Sequence, residues 1–167
     1  MKKTIKLSDL DSLIKKFLIT YVVVLSLGVS MGLVFVNHTT SFTSEGAIER
    51  FRGSEEIDEF GIPKSSSKTF YELLMTTHNH IIGFSFIFLT IGIIFYFTET
   101  LPEKFKIFLM IEPLISILLS FGSIWGIKYV DANFVYLTIT SAVLMYLSYY
   151  LMVGIIIKEL IFSNSSE

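Results

Sequence analysis

The residues best suited to chemistry in this chain are three histidines, and each borders an apolar segment. His78 and His80 belong to the sequence THNH, directly before an apolar run, and His38 directly follows another. Imidazole binds first-row transition metals, ligates haem iron and titrates near neutral pH. The positions therefore indicate a polar site at one face of a membrane, where a metal ion, a haem or a proton could be held.

His78 and His80 are two residues apart, so they point about 200° apart on a regular α-helix. At most one of them faces a neighbouring helix. His80 lies on the same face as Thr76 and Glu72, which is the more polar one, and His38 is expected at a similar depth on an adjacent helix. We therefore expect His38, His78 and His80 to bind a cofactor, with Glu72 as a further ligand of a metal ion.

Two cofactors fit this set of residues, a transition metal ion and haem b. The small residues Gly32 and Gly83 would leave room for a haem ring between helices. The alternative is a structural role, because histidines at a membrane interface often extend their polar ends toward water or cap a helix. Three histidines in 167 residues are no enrichment, and the sequence leaves these alternatives open.

A separate candidate is Glu112, the one carboxylate predicted to lie within the membrane. An ionisable group is costly in hydrocarbon and is therefore a candidate functional residue. Ser116, Ser120 and Ser123 follow it at helical spacing and predict a polar stripe that faces the interior of a bundle. The alternative is a carboxylate near the lipid headgroups, or a protonated one that is hydrogen-bonded to a serine.

Other chemistry finds little support in the sequence. The chain has no cysteine, which excludes disulfides, thiolate metal sites and a cysteine nucleophile. We find no nucleophile–base pair, phosphate-binding loop or paired carboxylates, so the sequence leans against an enzyme. The net charge of −2 argues against a nucleic-acid partner.

Apolar segments long enough for membrane helices must position these residues. Hydrophobic residues make up 52% of the chain and charged residues only 17%, with a mean hydropathy of +0.66. Four apolar segments are each near the roughly 20 residues that cross a bilayer as a helix. We predict an all-α membrane protein, a single domain over residues 1–167 folded as an up-down-up-down four-helix transmembrane bundle. The predicted spans are about 17–37, 80–98, 107–128 and 134–157, with a long polar loop over 38–79.

Basic residues predict the orientation of the bundle. Eight lysines lie in the N-terminal arm, the 98–106 loop and the C-terminal tail, five of them within the first 16 residues, against five lysines and arginines on the opposite side. Lysine and arginine favour the cytoplasmic side, so both termini are expected in the cytoplasm. The 38–79 loop and the histidines would then be extracytoplasmic.

One stretch of sequence resembles a known group of proteins. GAIERFRG, an acidic patch and then YELLMTTHNH at the start of a span resemble a group of small four-helix bacterial membrane proteins, over about residues 45–95. Members carry a T-H-x-H element at the start of the second helix, matched here by Thr77, His78 and His80. The resemblance implies the same topology and a bacterial inner-membrane location, and it implies no activity. More loosely, the bundle looks like the b-type cytochromes, but it lacks their histidine pair at the cytoplasmic face.

Together these features predict an integral membrane protein of the bacterial inner membrane with a His-lined metal or haem site at its extracytoplasmic face. The alternative is a structural or accessory subunit without a cofactor, which uses the 38–79 loop to dock on a larger membrane complex or in a homo-oligomer. The lipid bilayer is the expected partner in either case.

Overall fold

Helices account for most of the chain. The computed structural model describes residues 6–54 and 56–162, which form a short 3₁₀ turn at Leu7–Asp9 and five α-helices. The α-helices are α1 (Ser12–Thr40), α2 (Ser44–Arg52), α3 (Phe70–Tyr96), α4 (Glu103–Tyr129) and α5 (Phe134–Phe162).

Four of these helices are long and apolar enough to cross a membrane, namely α1, α3, α4 and α5. They contain 27 to 29 residues, which is about 40 Å of helix against a hydrocarbon core of about 30 Å. Many of their large apolar side chains are exposed on the bundle surface, as lipid-facing residues are. The protein is therefore a multi-pass all-α membrane protein, and the predicted four-helix bundle is confirmed.

The bundle has two ends that differ in structure. The terminal end, as we call it, carries residues 6–11, the 97–102 connection and the end of α5. There Leu7 is buried, and Glu159 accepts hydrogen bonds from the backbone N–H groups of Glu99 and Thr100. The loop end carries residues 41–69 and the short 130–133 turn. The connections between the long helices lie at these two ends, and hydrogen bonds hold them in place.

The most extensive helix pair is α4 with α5, and small polar residues line its interface. Ser123 on α4 shares a hydrogen bond of 2.6 Å with Thr138 on α5. Small side chains let two helix backbones approach closely in a membrane. The buried serines of this interface are Ser116, Ser120 and Ser123 on α4, and Ser141 and Ser148 on α5.

Helix α1 is the most peripheral of the four long helices, and few of its residues are buried. Pairs of hydroxyl groups join it to the rest of the bundle at distances of 2.8 to 3.1 Å. These pairs are Tyr21–Thr90, Ser26–Tyr149 and Ser30–Tyr150. Polar contacts thus supplement the modest apolar packing of α1.

The long helices extend past the predicted spans and include all three histidines. Helix α1 continues through His38 in its last turn. Helix α3 begins at Phe70, where Thr69 and Glu72 form a capping box, and it runs unbroken through His78 and His80. The histidines therefore have regular helical geometry, and the exact limits of the spans in a bilayer stay predictions.

A glycine contact tests the packing at the loop end. A Cβ atom added at Gly126 on α4 would lie 2.4 Å from Cγ of Phe134, an atom close to the backbone of α5. We expect Gly126→Ala to lower the free energy of unfolding by about 1–3 kcal/mol, because the ring cannot move away without shifting α5. Thermal unfolding in detergent measures this.

The matched control is Gly122→Ala, one turn earlier on α4, where an added Cβ meets nothing within 4 Å. This variant should be at least as stable as the wild type, because alanine favours helix more than glycine does. Equal melting temperatures for the two variants would contradict the packing described.

Candidate functional site at the loop end

The side chain of His80 is held by a hydrogen bond and by two aromatic rings. Its Nδ1 atom lies 2.8 Å from the backbone oxygen of Thr76, one turn earlier on α3. The ring centroid lies 4.9 Å from that of Phe121 and 6.0 Å from that of Phe84. A carbonyl oxygen can only accept, so Nδ1 carries a proton, and in the neutral imidazole the lone pair is on Nε2. His80 thus presents a fixed imidazole with one nitrogen able to bind a ligand.

All three histidines are exposed, and the other two differ from His80 in their hydrogen bonds. His38 and His78 are exposed, and neither makes a side-chain hydrogen bond with a residue in the part of the chain that the structure describes. Within those same residues, no group of three or more histidine, aspartate or glutamate side chains could hold a metal ion. The predicted cofactor site of His38, His78 and His80, and its extension to Glu72, therefore stay predictions.

Glu72 has a clear structural role. One carboxylate oxygen accepts hydrogen bonds from the backbone N–H and the hydroxyl of Thr69, at 2.8 and 2.9 Å. The other accepts from the Lys68 ammonium at 2.8 Å. Both oxygens thus stabilise the first turn of α3, where a negative charge also interacts favourably with the helix dipole.

Helix α2 lies across the loop end and packs against the bundle. Its apolar side, Ala47, Ile48 and Phe51, contacts Ile127, Phe134 and Val135 of α4 and α5. Its arginines hold it in place: Arg52 donates to the backbone oxygen of Ile127, and Arg50 lies 5.0 Å from the ring centroid of Phe35 on α1. Burial lowers the pKa of Arg50, and the charge of Glu72 opposes this shift. The arginines therefore support the fold of the loop.

Trp125 joins α4 to the THNH segment. Its indole N–H donates to the hydroxyl of Thr77 at 2.8 Å, and its ring contacts Phe70 edge-on with centroids 5.3 Å apart. The threonine of the T-H-x-H element thus fixes α3 against α4 beside the histidines. Sequence reasoning missed this contact, because the pairing of Thr77 with an indole 48 residues later depends on how the two helices are rotated.

Glu112 lies away from the histidines, between α4 and α5. Ser116 donates to its Oε1 atom, and Ser148 of α5 donates to its Oε2 atom at 2.5 Å. Ser120, one turn further along α4, is buried in the same interface. Glu112 is nine residues from the terminal-end start of α4, whereas His80 is ten residues from the loop-end start of α3. The two polar groups therefore belong to different sites.

The fold and its polar sites define a class, a small multi-pass helical membrane protein. The family model Aq_1264_TM, a transmembrane helical domain, matches residues 41–167. That segment is about three quarters of the chain and contains α2 to α5, so the chain belongs to this family of transmembrane helical domains. Comparisons with curated proteins and with solved structures found no match. The T-H-x-H resemblance and the looser likeness to cytochromes stay predictions.

Thr77→Val tests the connection between the THNH segment and α4. Removing the acceptor leaves the Trp125 indole N–H without its partner, which costs about 0.5–1.5 kcal/mol of stability. Trp125 is the one tryptophan of the chain, so its fluorescence reports directly on this contact. We expect a blue shift of the emission together with a lower melting temperature.

Thr76→Val is the matched control, since the Thr76 hydroxyl bonds to nothing in the described residues and only its backbone oxygen contacts His80. It should leave the emission unchanged. A spectral shift in Thr76→Val but not in Thr77→Val would show that the Trp125 contact is misassigned.

Proposed function

We propose that this membrane protein binds a haem or a transition metal ion at its loop end through Nε2 of His80. The observation that carries the proposal is the hydrogen bond from Nδ1 to the Thr76 carbonyl. Histidines that bind metals almost always donate their other ring N–H to a carbonyl or a carboxylate, which fixes the tautomer and the ring orientation. Packing against Phe121 and Phe84 further restricts the ring of His80.

Of the two cofactors, haem b has the stronger support. A porphyrin supplies the equatorial ligands of its iron, so one axial imidazole is enough to attach it. A transition metal ion needs several protein ligands, and the described residues offer no group of three. A Cβ added at Gly83, one turn after His80, would meet nothing within 4 Å, so space is open beside the imidazole. The exposed His38 is the candidate for a second axial ligand, because His78 lies on a different face of α3 from His80.

The location of the site follows from the distribution of charge. Lysines cluster at the terminal end, where the structure places Lys6, Lys15, Lys16, Lys104 and Lys106. Positive residues favour the cytoplasmic side, so this proposal places both termini in the cytoplasm and the His80 site on the extracytoplasmic face of a bacterial inner membrane.

The proposal predicts a cofactor in the purified protein. After expression with added haem precursor and extraction in mild detergent, the wild type should show a Soret band and a stoichiometric amount of haem iron. His80→Ala should lose the band because the axial ligand is gone. An absorption spectrum and elemental analysis of one preparation measure both quantities.

His78→Ala is the control, since His78 lies on a different face of α3, and it should keep at least part of the Soret band. A wild type without haem or stoichiometric metal would refute the proposal. So would a His80→Ala variant with the full cofactor content of the wild type.

A second candidate function, an accessory subunit that docks through its loop, is favoured by a hairpin at the loop end. Residues 56–64 form this hairpin, closed by a bridge between Ile57 and Pro63 and by an ion pair between Glu56 and Lys64. Lys64 lowers the pKa of the Glu56 carboxyl, so the pair persists until the pH falls below the usual range of a glutamate. Near its tip, Phe60 is 85% exposed.

The apolar side chains of the hairpin distinguish it from the rest of the surface. Ile57 and Ile62 are also well exposed, although the hairpin lies between helices and outside the candidate spans. Lipid thus does not explain their exposure as it explains that of the helices. Exposed apolar groups on a polar loop are typical of a docking surface.

A double substitution, Phe60→Ser with Ile62→Ser, tests this second function. Neither residue contributes to the core, so the melting temperature should stay unchanged. If the hairpin docks on a larger membrane complex or on a second copy, the detergent-solubilised particle should become smaller. Native mass spectrometry measures its mass.

Glu59→Ser, on the same hairpin, is the control and should leave the particle mass as it is. A wild type that is already monomeric in native membranes after crosslinking would argue against docking through this hairpin.

A further inference from the structure

The carboxylate of Glu112 is set within the membrane span and between two helices. It lies nine residues into α4, roughly 13 Å from the start of the helix. Because α4 is about 10 Å longer than the hydrocarbon core, a centred α4 places Glu112 several ångströms inside the hydrocarbon. The side chain is half-buried, and its two oxygens accept hydrogen bonds from Ser116 and Ser148.

In the described part of the chain, no positively charged group forms an ion pair with this carboxylate. Among the residues that the structure describes, the ion pairs are Lys6–Glu99, Glu56–Lys64 and Lys68–Glu72, and Glu112 takes part in none of them. Two neutral hydroxyls are weak compensation for a full charge in a low-dielectric environment. An uncompensated carboxylate at this depth is costly, and adding a proton removes the cost.

Several titratable groups on α4 and α5 have partners other than Glu112. On α4 itself, the Lys106 ammonium donates to the backbone oxygens of Tyr96 and Thr98 and lies over the Tyr96 ring of α3. On α5, the hydroxyl of Tyr149 pairs with Ser26 of α1. Glu159, also on α5, binds the 99–100 backbone. None of these groups supplies a cation to Glu112.

We propose that Glu112 is a proton-binding site inside the membrane, a neutral and exchangeable carboxylic acid held between α4 and α5 by Ser116 and Ser148. This site is independent of the His80 site at the loop end. Its ligand is the proton itself, and its two hydroxyl partners come from different helices.

The serine hydroxyls allow the proton to bind and leave while the heavy atoms stay in place. When both serines donate, the carboxyl group is an anion with two acceptor oxygens. When a proton binds one oxygen, that oxygen becomes a donor, and the hydroxyl facing it rotates to accept. The hydrogen released by this rotation can be donated to the backbone carbonyl four residues earlier on the same helix. Each state therefore keeps both hydrogen bonds, and no ion pair has to break.

Infrared difference spectroscopy of the full-length protein in lipid vesicles tests the proposal. At neutral pH we expect a carbonyl band of a protonated carboxylic acid, equivalent to one group per chain. The band should shift in D₂O because the proton exchanges. It should be absent from Glu112→Gln, which keeps the size and the hydrogen-bonding shape of the side chain.

Two further variants separate proton binding from a purely structural role. Glu103→Gln, at the exposed start of α4, should retain the whole band. Ser148→Ala should retain the band but move it to higher frequency, since the acid carbonyl loses one hydrogen-bond partner, and a role limited to helix packing would not move it in this way. Circular dichroism checks that each variant is folded.

A wild-type spectrum identical to that of Glu112→Gln at neutral pH would overturn the proposal, because Glu112 would then be ionised. A carboxylic acid band that does not shift in D₂O would overturn it as well, since the proton would not be exchangeable.

Discussion

The structure depends on the close approach of α4 and α5 through a row of buried serines. In a bilayer, apolar side chains gain little by leaving lipid for another helix, so association relies on close packing and interhelical hydrogen bonds. Ser123 and Thr138 provide one such bond, and Ser148 and Glu112 provide another nearer the terminal end. The remaining elements are arranged around this pair. Helix α3 packs on both members, α2 lies across their loop end, and α1 attaches mainly to α5 among the long helices.

This arrangement separates two kinds of polar chemistry along the membrane normal. The loop end has an oriented imidazole at His80, an indole bonded to Thr77 and a network of capping groups. The other half of the bundle has a carboxyl group bound only by hydroxyls. An imidazole at the membrane edge can exchange ligands with water, whereas a carboxyl within the hydrocarbon is suited to the smallest ligand, a proton. The two sites that we propose therefore differ in chemistry and lie in different halves of the bundle.

The sequence was sufficient for features that depend on one helix at a time. The four long helices follow from apolar segments of adequate length, and serines spaced by three and four residues from Glu112 predicted which side of α4 is buried. Helical spacing also showed that His78 and His80 cannot share a face. The sequence did not predict contacts between residues on two different helices. Whether His38 approaches His80, or Trp125 approaches Thr77, is decided by helix rotation and tilt, and neither leaves a signal in the spacing of residues on one helix. Glu72 as a metal ligand stays a prediction from the face that it shares with Thr76 and His80, and the structure adds its contacts with Thr69 and Lys68.

The surface on which helix α2 packs has a consequence for biosynthesis. The surface on which α2 packs is formed by Ile127, Phe134 and Val135. Arg52 of α2 also donates a hydrogen bond to the backbone oxygen of Ile127, one of the last carbonyls of α4, which have no partner within their own helix. Ile127, Phe134 and Val135 are translated more than 70 residues after α2. The segment that precedes α3 must therefore wait, without its contacts to α4 and α5, until these last two helices have been inserted. Packing of α2 on α4 and α5 thus follows the synthesis of both helices, although α2 itself is made early.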